Sequence, residues 1–454
     1  MLNDPLTTDE QPRPVRIVLR MAALALAMSS GVAVAAPGDH IGTDSFEVIP
    51  SVSLSTLHRT NVFLVEGEGF GGQAATPGTA IWLQPYVTMR SDTPTFLFKL
   101  DAGWTGKKYI QEAATNLDRF QDFDVRGNIH LLRDSVVGLI IRDKFDLNGF
   151  ESEAIKADNP YIQVIRNTAG ARLTVRPGAS FELDIGGDLR TQSFQTPIPN
   201  ADVVRSGQNS RLGYGPAAEF KWRFLPKTAV VANWQMEWFQ WGDNVVAPSG
   251  SVNNASYGAF LGVPDGRLMR IDAGIRGRFT EKLVLGLTAG YGTANYDEQS
   301  VLDEGETEGV PDFELDENEG FASDLQGLER LLLNAEVGYA IIESQTIKLN
   351  YRKDFQDVFF TNYVTFNSVG VGYEGVFAER YGANVDFSYR FENYNGEVTR
   401  DDHRLVGTTQ FRYIATKYLD VTAGVGWKRR ASASNQPEIE FDDVSFSVGA
   451  RFTY

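Results

Sequence analysis

The chain has no cysteine and only four histidines in 454 residues. Without cysteine there is no disulfide, no thiolate metal ligand and no cysteine nucleophile. Beyond the N-terminal segment, no stretch reaches the roughly 18–20 consecutive apolar residues that a transmembrane helix needs. A basic run is missing too. Lys and Arg number 42 against 59 Asp and Glu, for a net charge of −17, which sets nucleic acid aside as a partner. Phosphate-loop, dinucleotide and zinc-ligand spacings are absent, so neither cofactor nor metal is expected. A mean hydropathy of −0.24 resembles that of a soluble protein. A membrane barrel gives the same value, because lipid-facing and lumen-facing residues alternate and cancel.

The N-terminus carries an export pattern. Arg13, Arg16 and Arg20 precede the apolar run 21–28, and small residues follow at 33–36 before Pro37-Gly38. Charged, apolar and small segments in this order read as a secretory signal peptide. The expected division is a signal peptide over 1–36, a short periplasmic segment over 37–45, and the folded body over 46–454.

The other end is more specific. From Asp443 to the last residue, apolar and polar positions alternate without a break. Val444, Phe446, Val448, Ala450, Phe452 and Tyr454 fall on one face, and Ser445, Ser447, Gly449, Arg451 and Thr453 on the other, as strand geometry requires. A chain that stops on an aromatic in mid-strand makes sense if that strand is held on both sides. Ser447, Gly449, Phe452 and Tyr454 resemble the C-terminal insertion signal of bacterial outer-membrane barrels, with Tyr where Phe is usual.

Alternation of this kind recurs from Phe46 onward, and no segment of helical period competes with it. The pattern predicts an all-β, antiparallel transmembrane barrel of about 18 strands, with 16 as the alternative count. Connections alternate between short (91–94, 133–134, 176–178, 225–227, 280–282, 342–344, 378–380, 416–417) and long (58–78, 111–121, 149–158, 195–207, 243–266, 298–324). Short periplasmic turns and long external loops are the habit of outer-membrane barrels, which places the protein in the outer membrane of a Gram-negative cell. Trp104, Tyr109, Trp238, Trp241, Tyr291, Tyr296, Tyr394 and Trp427 fall near ends that meet long loops, and Phe224, Phe279, Phe452 and Tyr454 near the opposite ends. They read as two interfacial girdles.

The polar parity is heavily charged. Arg126, Arg142, Arg166, Arg172, Arg190, Arg223, Arg270, Arg276, Lys348, Arg352, Arg390, Arg412 and Arg451 all fall on it. A soluble core cannot hold so many charges, whereas a wet lumen can. These residues are the expected lumen lining, with two readings open. They select anionic or hydroxyl-rich solutes, or they pair with neighbouring carboxylates such as Asp184 and Asp188 and stiffen the wall.

Much of the negative charge lies elsewhere, in Asp303, Glu304, Glu306, Glu308, Asp312, Glu314, Asp316, Glu317 and Glu319, a stretch without Lys or Arg. It is expected in an external loop, solvated, binding divalent cations or flapping over the mouth. It lacks calcium-loop spacing. Asp402-His403 is the one pair that could serve a catalytic triad, and no Gly-x-Ser-x-Gly setting accompanies it.

Arg59-Thr60-Asn61-Val62-Phe63-Leu64 after the first strand, then Leu83-Gln84-Pro85-Tyr86-Val87 with a Ser91-Asp92 turn, resemble the β-barrel porin type 2 family over the whole mature chain. Members of that family are often linked to exopolysaccharide or capsule export. The resemblance implies an outer-membrane conduit for a secreted polymer and no catalytic residues. The expected function is therefore polymer export. A passive porin for small anionic or carbohydrate solutes is the alternative, and a barrel enzyme the third reading. Expected partners are outer-membrane lipid, the barrel-assembly machinery and periplasmic polysaccharide-export components.

Overall fold

The computed structural model describes residues 41–43, 45–64, 68–69, 73–148, 163–195, 210–241, 265–296, 327–358, 361–395, 400–433 and 440–454. The 1–36 segment and the acidic stretch 303–319 lie outside the described residues. Eighteen strands make the wall. They are β1 Phe46–Arg59, β2 Gly78–Asp92, β3 Phe96–Tyr109, β4 Asp122–Leu131, β5 Val137–Asn148, β6 Gln163–Gly178, β7 Phe181–Gln195, β8 Arg211–Leu225 and β9 Thr228–Trp241, then β10 Gly266–Arg278, β11 Leu283–Tyr296, β12 Leu328–Ile342, β13 Gln345–Val358, β14 Thr361–Phe377, β15 Tyr381–Asn395, β16 Arg400–Ile414, β17 Leu419–Ser432 and β18 Phe441–Thr453.

Each strand pairs antiparallel with its predecessor and its successor, and β18 pairs back onto β1 from Ser51↔Thr453 to Arg59↔Ser445. The sheet is closed. Closure matters because an unpaired strand edge in hydrocarbon leaves backbone groups that cost several kcal/mol each. The last residues complete the seam: the Thr453 amide donates to the Tyr418 carbonyl at 2.9 Å and the Tyr454 amide to the Pro50 carbonyl at 3.0 Å. Below the end of β18, a three-residue strand, Ile41–Thr43, folds back on Phe46–Val48 and covers the remaining edge of β1. Gly449 is required at this seam, since a Cβ there would lie 2.7 Å from Ser55 Cβ and 3.2 Å from the Leu54 carbonyl.

The apolar parity is the exposed one. Leu54, Leu331, Val369, Phe411 and Val448 keep about half or more of their surface open. A closed antiparallel barrel with an apolar exterior and a charged interior is a bilayer-spanning structure, and the protein is an outer-membrane barrel. Of the aromatics expected in the outer girdle, Trp104, Trp238, Tyr291 and Trp427 share the exposed parity. Tyr109, Tyr296 and Tyr394 do not. Tyr109 and Tyr296 pack in interior clusters and Tyr394 is buried against interior charges. They occupy the opposite parity, so a position near a strand end does not place them in the girdle. The Trp241 side chain lies outside the described residues.

Candidate functional site

The register sets Arg126, Arg142, Arg166, Arg172, Arg190, Arg223, Arg270, Arg276, Lys348, Arg352, Arg390, Arg412 and Arg451 on the parity opposite the exposed apolar set. Several are held in ion pairs along the wall. Arg172 meets Asp188 at 2.6 Å, Arg190 meets Glu237 at 2.9 Å, Arg223 meets Glu182 at 2.8 Å, Arg412 meets Asp420 at 2.6 Å and Lys348 meets Glu374 at 2.7 Å. Arg126, Arg142, Arg276 and Arg451 have no carboxylate at ion-pair distance among the described residues. Arg126 and Arg142 lie on adjacent strands, β4 and β5.

Nine strands further round the ring, the wall changes shape. β12 pairs with β11 along its outer half, but its ladder to β13 starts only at Leu333↔Lys353. Beyond that point β13 leaves β12 and stays paired with β14 alone. At the periplasmic turn the Val376 amide donates to the Ser344 carbonyl. Even-numbered residues of β13 therefore bond β14, and odd-numbered ones face β12. Phe355 is the first odd residue past the split, so its backbone loses its ladder partner. Side chains replace it. The Phe355 amide donates to Asp354 Oδ1 at 2.8 Å, and Arg270 Nη2 donates to the Phe355 carbonyl at 2.6 Å. Such substitution is what a buried backbone group needs.

Past the split the hairpin end passes on the luminal side of β10–β12. The Phe355 ring sits beneath the Arg270 guanidinium, 4.6 Å from its carbon, and packs with Tyr363, Leu332, Leu328, Leu268, Tyr296 and Phe239 in one buried cluster. Phe355 keeps its outward parity, but what lies outside it is the inner face of the neighbouring strands. Gly292 makes room, since a Cβ there would come 2.4 Å from Phe355 Cε1. On the other face of the hairpin, Asp354 accepts from Arg352 Nε at 3.1 Å, and the Arg390 guanidinium carbon lies 3.8 Å from the centre of the Phe366 ring. Asp354 and Arg352 of β13 and Arg390 of the next strand but one, β15, thus lie on the luminal parity about half a ring away from Arg126 and Arg142.

A second element narrows the lumen from the side of β1, β2 and β18. The six-residue motif after β1 turns inward. Arg59 Nη2 donates to Asp443 Oδ2 at 2.7 Å, and the Asn61 amide to Asp443 Oδ1 at 3.0 Å. Leu64 adopts a φ of 55°. Val62 and Phe63 are buried against Ala114, Leu117 and Phe120, contributed by the 3-10 helix Glu112–Arg119 and the residue after it.

Between these elements, β15–β17 carry a charge network that alternation alone does not single out. Asp402 is fully buried and accepts from Arg400 Nε at 3.0 Å and from Arg430. Arg430 also donates to the Tyr394 hydroxyl at 3.4 Å, which donates to Glu392 at 2.9 Å, and Arg404 reaches Glu392 at 3.1 Å. The signal for Arg430 was in the sequence: it continues the luminal parity of Lys428 by one more step.

The same parity removes the catalytic candidate. Asp402 and His403 are consecutive in one strand and point to opposite faces. Asp402 is locked by arginines, whereas His403 Nδ1 lies 2.7 Å from the Tyr389 hydroxyl on the exterior and stacks beside Tyr389 and Phe391. The C-terminal residues stand at the seam. Ser447, Gly449 and Arg451 face inward, and Phe452 is half exposed beside Tyr418. No group of three or more potential metal ligands occurs among the described residues.

No family profile and no curated protein matches the sequence. Solved structures that resemble the chain are outer-membrane proteins. Pseudomonas aeruginosa OpdK, crystallised with vanillate, is 11% identical, covers 90% of this chain and 99% of its own, and has a TM-score of 0.44. The FrpB iron transporter of Neisseria meningitidis is 8% identical with 91% and 82% coverage and a TM-score of 0.44. Acinetobacter baumannii OccAB3 is 8% identical with 90% and 99% coverage and a TM-score of 0.42.

Proposed function

We propose that the barrel is a passive channel that prefers small anionic solutes. The observation that carries this reading is the pairing of opposite walls. Arg126 and Arg142, with no carboxylate at ion-pair distance among the described residues, stand on β4 and β5, about half a ring away from Arg352 on β13 and Arg390 on β15. A guanidinium binds carboxylate and phosphate oxygens in pairs and stays charged at any working pH. Cations on two sides of a narrowed lumen lower the barrier for an anion and raise it for a cation. The paired arginines on β6–β8 serve the other purpose: Arg172 meets Asp188, Arg190 shares Glu237 with Arg211, and Arg223 shares Glu182 with Arg176 and Lys221, which stiffens the wall.

Export of a polysaccharide, which the family resemblance implies, asks for an open conduit. The hairpin end and the turned-in motif after β1 both occupy luminal space that a polymer would need, so solute uptake is the better supported reading. The deciding measurement is planar-bilayer conductance of the purified barrel in a KCl gradient. The expected result is a steady conductance with a reversal potential on the anion side, and a shift towards neutrality in Arg126→Gln/Arg142→Gln. Cation preference in the unaltered barrel would overturn the reading. If the channel were instead an exporter, deleting its gene would lower surface polysaccharide while leaving solute uptake unchanged.

A further inference from the structure

We propose that the outer end of the β13–β14 hairpin is a hinged constriction, and that Arg270 is the residue that latches it inside the barrel. Three independent observations meet here. First, β12 and β13 part at Leu333↔Lys353 although both strands continue beyond it. The wall could zip further, and the sequence does not end the ladder with a proline or a bulge. Second, the groups set free are capped from one place. Arg270, on β10, donates to the Phe355 carbonyl, lies over the Phe355 ring and stands 3.6 Å from Asp354. Asp354 in turn caps the Phe355 amide. One guanidinium thus satisfies the backbone acceptor, the ring face and the carboxylate of the tucked segment. Third, the wall is carved to receive it. Gly292 leaves the space that Phe355 fills, and Leu332 borders the same space.

Two arrangements of this hairpin share the same strands. In one, Phe355 is tucked beneath β10–β12 and held by Arg270. In the other, Phe355 pairs with Leu331 by continuing the existing register, and the hairpin stands in the wall with its outward face exposed. The second returns the ladder hydrogen bonds but gives up the aromatic cluster and the Arg270 contacts. The two differ by a few side-chain interactions and not by a change of fold, which is the condition for a switchable element. Moving between them changes the open cross-section without touching the periplasmic half.

The test uses two variants that reach the same element by different routes. Arg270→Met removes the latch and one charge. Gly292→Val removes no charge and fills the space under Phe355. Each is built into the full-length barrel carrying Leu328→Cys as a reporter. The natural chain has no cysteine, and Leu328, on the inner face of β12 in the cluster that the tucked hairpin covers, is 7% exposed. Labelling by a membrane-impermeant maleimide is expected to quicken by about tenfold or more in both variants, because the rate follows the population of the open form. Unitary conductance is expected to rise by roughly 1.5- to 2-fold in both, as the constriction retreats. Arg270→Lys, which can still reach the Phe355 carbonyl, should restore most of the slow labelling.

Unchanged labelling in both folded variants overturns the latch, whether or not the barrel conducts. A change in Arg270→Met alone also overturns it, because the effect then belongs to the charge. The conductance arm rests on the channel reading above and the labelling arm does not. A silent barrel with faster labelling would therefore sink the channel and keep the hinge.

Discussion

At the scale of single residues, Asp402 carries the most. It is a fully buried carboxylate that accepts hydrogen bonds from two guanidinium groups, Arg400 and Arg430, and Arg430 is itself 1% exposed. Removing one partner of such a set leaves buried charge without compensation, whereas replacing the set by apolar groups avoids the desolvation cost. Asp402→Ala is thus expected to destabilise the folded barrel by about 3–5 kcal/mol. Asp402→Leu combined with Arg430→Met should recover a large part of that loss. The urea midpoint of the detergent-folded protein measures both, and a double variant less stable than Asp402→Ala would contradict the argument. Gly449 carries a smaller weight of a different kind. A side chain there meets the β1 backbone, and overpacking of this sort costs about 1–3 kcal/mol. Gly449→Val should lower the fraction of chain that runs as a compact barrel in unheated semi-native electrophoresis, and equal fractions would show that the seam tolerates the bulk.

At the scale of elements, period-two alternation made most of the wall legible. The strands, the short turns, the closing strand and the inward parity of the basic residues all follow from it. What it left hidden has a single physical cause. Parity says which face of its own strand a side chain takes, not what lies against that face. Phe355 obeys its parity and is still an interior residue, because its strand passes behind its neighbours. Tyr296 and Tyr394 were legible by parity, five residues from Tyr291 and on the luminal side of Phe391 and Tyr389, but nearness to a strand end outweighed it. The motif from Arg59 to Leu64 was visible as a motif, and its role as an anchored inward turn was not, since Asp443 stands more than 380 positions away in sequence. That anchor makes its own prediction. Asp443→Ala removes the acceptor for both the Arg59 side chain and the Asn61 amide, while Phe63 remains the large apolar residue of the turn. Chymotrypsin should then cut intact, folded barrel after Phe63, a site that the anchored turn protects. Continued resistance would mean that the apolar packing against Leu117 and Phe120 holds the turn without Asp443.

At the scale of the whole molecule, the sign of the net charge and the sign of the selectivity are expected to differ. The chain carries −17, and a long-range view would make it a cation channel. A solute, however, responds to charges within about one Debye length, roughly 10 Å at 0.1 M salt and 3 Å at 1 M. What it meets is Arg126 and Arg142 beside Asp101 and Asp124 on one wall, and on the other Arg352 and Arg390, which engage the carboxylates of Asp354 and Glu392. Anion preference should therefore be present at about 0.1 M KCl and fade towards parity near 1 M, where only direct contact survives screening. It should persist when the acidic stretch 303–319 is replaced by neutral residues, because that change removes only charge that repels anions. If its removal instead strengthened anion preference severalfold, the acidic charge would be reaching the constriction. If preference did not change with salt at all, selection would lie in direct binding to a guanidinium rather than in the field of the lumen, and Arg352→Gln and Arg390→Gln would then separate the two binding walls.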